Sequence, residues 1–137
     1  VIMVSSIHAD DYHNWSNDLG LMQVYRLPLP DSPYGATKVY MESLGRYYAS
    51  KDNLEVVCVR FGGVSVDDKP RSEENYSKIW LSRGDYAGVI RQCIETEKVP
   101  GGFSLFYGVS HNTGRIHDWQ NSLGWKPVDD FLVVFGS

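Results

Sequence analysis

Hydrophobic positions fall in short blocks along the chain, separated by polar stretches. Val1 to Val4 is a continuous apolar run ending in Ser5-Ser6. Such a run predicts a strand buried on both faces, as in a parallel sheet. Ile7 to Ser32 is rich in Asp, Asn, Tyr and Pro and has no clear period. It reads as a long loop, of the kind that is usually functional or mobile. Pro33 then opens a helix, with Asp31 and Ser32 as candidate caps. Between Tyr34 and Ser50, residues Ala36, Tyr40, Leu44, Tyr47 and Tyr48 form a helical apolar stripe. Gly35 and Gly45 weaken that helix by about 1 kcal/mol each relative to Ala. Leu54 to Phe61 is β-branched and bounded by Asp52-Asn53 and Gly62-Gly63, which predicts a second buried strand. Strand, helix and strand make a βαβ unit with a right-handed crossover.

Ser65 to Lys78 reads as a polar loop. Ser82-Arg83-Gly84-Asp85 has the form of a capping box, with Ser82 as N-cap and Asp85 at the third position. Tyr86, Val89, Ile90, Cys93 and Ile94 then give one apolar helix face. Pro100-Gly101-Gly102 ends it, and Phe103 to Val109 predicts a third strand. A short helix is expected around Arg115 to Ser122, closed by Gly124. Phe131 to Phe135 is apolar and β-prone. The pattern as a whole predicts an α/β fold with about three parallel strands and their helices.

A chain of 137 residues suits one domain. Hydrophobic residues at 42% and charged residues at 22% mark a globular chain, not a disordered one. A net charge of −4 without a basic cluster argues against nucleic acid or anionic membrane as a partner. No apolar run approaches the roughly 18 residues of a membrane span, and the first residues lack the basic start of a signal peptide. Cys58 and Cys93 have no CxxC spacing and fit a reducing cytosol, so a cytoplasmic location is expected.

The sharpest chemical signal is Tyr34-Gly-Ala-Thr-Lys38. Residues i and i+4 share a helix face, about 6 Å apart. A Lys ammonium there favours the phenolate. A Tyr base working near pH 7 needs its pKa lowered by about 3 units, roughly 4 kcal/mol. Taken alone, Tyr-x-x-x-Lys is weak evidence and fits a surface pair on an exposed helix better than a catalytic pair. Its setting adds weight: Ser5-Ser6 closes one predicted strand, Gly62-Gly63 closes the next, and Tyr34 opens the helix between them. Ligands of open α/β sheets gather outside the carboxyl ends of strands.

With those residues in view, VIMVSSIH, SPYGATKVYMESLGRYY and EVVCVRFGGV resemble the extended short-chain dehydrogenase/reductase superfamily, in its NAD-dependent epimerase/dehydratase family. IWLSRGDYAGVIRQCIE and LFYGVSHNTGRIHDWQNSLGWKPVDD resemble the uronate dehydrogenase branch and its sugar and sugar-phosphate dehydrogenase relatives. The resemblance implies the C-terminal half of a Rossmann-type doubly wound parallel sheet. Residues 1–137 would be a single partial domain, the catalytic and substrate-side half. It implies that Tyr34 is the acid/base toward a sugar hydroxyl. Lys38 would bind the nicotinamide ribose and depress the Tyr34 pKa, and Ser6 would hydrogen-bond the reacting hydroxyl. Phe61, Gly62 and Gly63 would pass beside the nicotinamide of NAD or NADP, and His8 would contact substrate. Hydride would pass to NAD as the anomeric carbon becomes a lactone carbonyl.

The match has departures. The branch carries an Arg before its WLS motif to hold a sugar carboxylate, and here that position is Asn75; Arg71 or Lys78 is the candidate substitute. Ile7 stands where an Asn is usual. The family's Gly-rich turn, whose backbone meets the pyrophosphate, does not occur in this chain, so the chain by itself is expected to bind NAD poorly.

Other residues have competing readings. Trp80 either lines a substrate pocket or packs as a staple beside the helix cap. His8, His13, His111 and His117 match no common zinc spacing, so no metal is expected. Cys58 and Cys93 read as packed thiols. Two alternatives to a sugar dehydrogenase stay open. One is a sugar epimerase or dehydratase half, which shares the Tyr/Lys pair. The other is a non-catalytic module that forms a homodimer, or pairs through an exposed first strand or the Tyr-rich helix.

Overall fold

In the computed structural model, residues 1–136 are described. They form one three-stranded parallel sheet in the order β1-β2-β3, with β1 Ile2–Ser6, β2 Val56–Phe61 and β3 Phe103–Gly108. The helices are α1 Pro33–Lys51, α2 Tyr76–Ile79, α3 Arg83–Glu95 and α4 Phe131–Phe135. Among the described residues no helix is long and apolar enough to cross a membrane.

β2 is central, and all six of its residues are buried. Its side chains alternate between the two faces, as the pleat requires. Val57, Val59 and Phe61 join Phe106, Val89, Leu123 and Trp125 in a core with the apolar side of α3. Val56, Cys58 and Arg60 face α1: Gly45 of that helix lies against Val56 and Cys58, and Glu42 pairs with Arg60. Helices therefore cover both faces, the arrangement of a doubly wound sheet.

β1 pairs with β2 alone and is an edge of this sheet. The expectation of a strand buried on both faces is corrected here, since Val1 and Val4 are exposed and Ser5 and Ser6 are the buried members.

α1 begins where Pro33 and Ser32 place it. Ser32 Oγ accepts from the Gly35 amide at 3.0 Å, satisfying one of the helix's free donors. The apolar stripe of α1 does not point inward. Tyr40, Leu44, Tyr47 and Tyr48 are exposed, and the buried residues of the helix are Gly35, Glu42 and Gly45. Close approach by two glycines and one paired charge replaces the apolar seam that periodicity predicts.

Four further expectations are corrected. The polar stretch before Trp80 contains the short helix α2, whose Tyr76 and Ile79 are buried. Ser82 caps α3 by accepting from the Asp85 amide at 2.9 Å, but Asp85 does not return the bond. Its carboxylate accepts instead from Ser110 Oγ, Val128 N and Asp129 N. Residues 115–122 are not helical. His117 bridges to Met22, and the Asn121 side chain accepts from Leu123 N and Trp125 N, local bonds that compete with a helix. Phe131–Phe135 is a helix rather than a strand, capped by Asp130 and packed through Phe131 against Tyr76 and Trp80.

The long segment after β1 is tied down. Asp10, wholly buried, accepts from Leu29 N at 2.9 Å and lies 2.7 Å from Arg26 Nε. Met22 exchanges main-chain bonds with Ile116 and Asp118.

Candidate active site

Three connections converge at the carboxyl end of β1. Ser5 and Ser6 end the strand, and Ile7–Ala9 follows as a single 3-10 turn. α1 starts immediately against that turn. A Cβ on Gly35 would overlap the His8 carbonyl oxygen and sit 2.8 Å from its carbon, so only glycine lets the helix approach so closely. Tyr34 and Lys38, one turn apart on α1, are thereby set beside the end of β1.

The two serines have different surroundings. Ser5 Oγ donates to Glu42 inside the sheet–helix interface. Ser6 Oγ accepts from the His8 amide at 3.1 Å, and its own hydrogen stays free to donate. Lys38 Nζ donates to the Val4 carbonyl at 2.9 Å and lies 5.4 Å from the Tyr34 ring centroid. Two of its three N–H donors remain for the acceptors of a ligand. The Tyr34 side chain is exposed. The His8 ring stands edge-on to it, 6.0 Å between centroids.

His8 is held from behind. Its Nδ1 lies 2.6 Å from Asp31 Oδ2. Asp31 also accepts from Ser32 Oγ at 2.8 Å, and its amide donates to the His8 carbonyl at 3.2 Å. Beside this pair, His13 Nδ1 bonds Asp11 at 2.8 Å and lies 3.7 Å from Asp31. One potential ligand atom from each of Asp11, His13 and Asp31 falls within 4.8 Å of the others, a grouping that could hold a cation. The His13 amide and ring hold the Asp11 carboxyl below the usual carboxylate range.

Tyr12 differs sharply from Tyr34. It is buried, stacks on His13 at 4.4 Å and is pushed up to about 12, first by burial and then by the charges of Asp31, Glu73 and Asp11. Tyr12 is a neutral phenol across the physiological range.

The remaining expected site residues lie in varied surroundings. The Phe61 ring is buried against Tyr86, 4.9 Å between centroids, which leaves only its main chain to meet a ligand. A Cβ on Gly62 would overlap the Ile79 carbonyl oxygen, so this glycine is required by internal packing. Gly63 exchanges main-chain bonds with Ile79 and Leu81. Arg71 pairs with Asp67 at 3.0 Å on an exposed loop. Trp80 is 1% exposed and packs edge-on to Phe131 and Phe135, the packing alternative rather than an open pocket wall. A cavity of about 630 Å³ lies between α1, the 24–28 segment and β3, lined by Arg26, Arg46 and Ser104 among others. Ser6, Tyr34 and Lys38 do not line it.

The grouping of Asp31, Asp11 and Tyr12 around His8 and His13 is not legible from the sequence. Asp31 reads there as a helix cap, and nothing local shows that His8 returns to it across 23 positions.

The fold and this edge define an α/β protein of Rossmann type, with Tyr and Lys at the carboxyl end of a parallel strand. No family model matches the chain. Its curated relatives include several sugar dehydrogenases and an uncharacterized protein of Bacillus subtilis. It is 32% identical over 107 residues to an NAD-dependent glucose-6-phosphate dehydrogenase of Haloferax volcanii, covering 76% of this chain and 40% of the relative. It is 30% identical over 137 residues to a uronate dehydrogenase of Pseudomonas syringae pv. tomato, covering 97% of this chain and 46% of the relative. Among solved structures, uronate dehydrogenase from Agrobacterium tumefaciens superposes with a TM-score of 0.82 at 26% identity, over 96% of this chain and 47% of that one. The chain spans about half the length of the relatives it matches. Its homologues and structural neighbours thus include uronate dehydrogenases and related NAD-dependent sugar enzymes of the short-chain dehydrogenase/reductase type.

Proposed function

We propose that the chain is the catalytic, substrate-side half of an NAD-dependent sugar dehydrogenase acting on a uronate or sugar phosphate. The observation that carries this reading is that Tyr34 and Lys38 stand one turn apart at the end of β1, with Lys38 Nζ bonded to the Val4 carbonyl and 5.4 Å from the Tyr34 ring.

In this reading NAD, when bound, supplies the hydride acceptor. Lys38 would hold the nicotinamide ribose through its remaining donors and adds positive charge beside Tyr34. The main chain of Phe61, Gly62 and Gly63 lines the same strand edge. Ser6 donates to the oxygen of the reacting hydroxyl and orients it. Tyr34 Oη removes that hydroxyl's proton as general base. With that proton on Tyr34 and the carbon's hydride accepted by NAD, the carbon–oxygen single bond would become a carbonyl. His8 meets a further hydroxyl of the sugar. Arg71 is the candidate partner for a substrate carboxylate or phosphate, since position 75 is Asn.

The test is Tyr34→Phe in the enzyme that carries this chain, followed by NADH formation with uronates and aldose phosphates. Turnover should fall by at least about a hundredfold, with NAD binding unchanged by calorimetry. Retained turnover overturns the reading. A second reading, self-association, is favoured by the exposed side chains of Tyr40, Leu44, Tyr47 and Tyr48 on one helix. A monomer by light scattering would exclude it.

A further inference from the structure

We propose that Asp31 is a positioning residue that fixes the tautomer and orientation of His8 relative to Tyr34, so that His8 Nε2 accepts a hydrogen bond from a sugar hydroxyl. The inference rests on the reading of Tyr34 as the acid/base only for its consequence in catalysis; the tautomer stands on geometry alone.

His8 Nδ1 lies 2.6 Å from Asp31 Oδ2. An ionised carboxylate only accepts, so the hydrogen of this bond sits on Nδ1. In the neutral ring the lone pair then lies on Nε2. The His8 side chain is 40% exposed, while that of Asp31 is 8% exposed. The imidazole therefore turns its bonded edge inward and keeps its other edge accessible beside Tyr34.

Asp31 also joins two elements. Its second oxygen accepts from Ser32 Oγ at 2.8 Å, and Ser32 Oγ in turn caps α1 by accepting from Gly35 N at 3.0 Å. The Asp31 amide donates to the His8 carbonyl at 3.2 Å. One carboxylate thus locks the turn that carries His8 to the first turn of the helix that carries Tyr34. The two rings stand 6.0 Å apart across that lock. A lone-pair acceptor next to the base suits a hydroxyl group. It does not suit a carboxylate or phosphate oxygen, which needs a donor. His8 is accordingly assigned to hydroxyl recognition, and anion recognition falls to other residues.

The test begins with nitrogen NMR of the His8 ring at pH 8 in the unaltered protein, which needs no variant to fold. The expected spectrum is the Nδ1–H tautomer. Asp31→Ala should shift His8 toward the Nε2–H tautomer, and Asp31→Asn, whose amide oxygen still accepts, should keep more of the Nδ1–H form. In the enzyme carrying the chain, Asp31→Ala should raise KM for the sugar by about tenfold with a smaller change in kcat, and Asp31→Asn should recover part of it. An Nε2–H ring in the unaltered protein, or an unchanged ring in Asp31→Ala, overturns the inference and leaves the role of Tyr34 intact. Loss of turnover in Asp31→Ala at unchanged KM overturns the hydroxyl contact. Retained turnover in Tyr34→Phe overturns the dehydrogenase reading and leaves the tautomer assignment standing.

Discussion

Lys38 Nζ donates to the Val4 carbonyl at 2.9 Å, joining α1 to β1 across 34 positions. The bond fixes an ammonium that would otherwise roam on a flexible stem. Lys38→Met removes both tether and charge. Val4 lies at the exposed sheet edge, so its freed carbonyl meets water and the stability loss is expected to be about 1 kcal/mol or less. On the dehydrogenase reading proposed above, turnover of the protein that carries this chain should fall by more than about a hundredfold. Urea unfolding and steady-state rates, measured on the same variant, separate the two effects.

Gly35 provides a sign test. In an ordinary helix interior, Gly→Ala adds about 1 kcal/mol of stability. Here the added methyl would overlap the His8 carbonyl. Gly35→Ala is therefore expected to destabilise by about 2 kcal/mol, as overpacked sites do. It should also lower turnover by displacing Tyr34. A rise in melting temperature would contradict the close approach.

The buried pair of Glu42 and Arg60 makes a third test. Arg60 donates to both Glu42 oxygens, at 2.8 and 2.7 Å, and to Tyr107 Oη at 3.1 Å. Burial works against the Arg60 charge, but Glu42 and Tyr107 hold it further up than an ordinary guanidinium. Glu42→Leu alone strands a buried cation and should cost about 3–5 kcal/mol. Glu42→Leu with Arg60→Met should cost less than Glu42→Leu alone. A double-mutant cycle in urea reads the difference directly.

These residues also mark what the sequence conveyed. The three strands, α1 and α3 were legible because run length, β-branching and capping signals all act locally. Ser32 and Ser82 cap where they were expected to. The direction of α1 was not legible. A stripe of Tyr and Leu predicts a buried face, and here Gly35, Glu42 and Gly45 occupy the interface instead, because a nearby strand and a buried Arg outweigh apolar area. At α4 the sequence points to a strand because Phe and Val favour strands in isolation, whereas the Asp130 cap and Trp80 favour a helical turn. The Tyr34 and Lys38 placement was legible from spacing. The Asp31–His8 bond was not, since it depends on how a loop of no fixed period returns.

His117 is expected to control the acid limit of stability. It is wholly buried, and neither ring nitrogen has a hydrogen-bond partner in the structure. Burial first, and the positive charge of Arg60 second, lower its pKa to about 3. An unfolded His titrates near 6.5. Between these values the unfolded chain binds a proton that the folded chain refuses. Stability attributable to this group is therefore complete above about pH 6.5 and lost as pH falls toward 3, with a slope of about 1.4 kcal/mol per pH unit. His117→Leu removes the titrating group and keeps an apolar side chain against Tyr12 and Tyr107. The variant should show a flatter decline between pH 6.5 and 4 in urea unfolding, with little penalty at pH 7.5, where the native imidazole is neutral. An unchanged slope would mean that other groups set the acid limit.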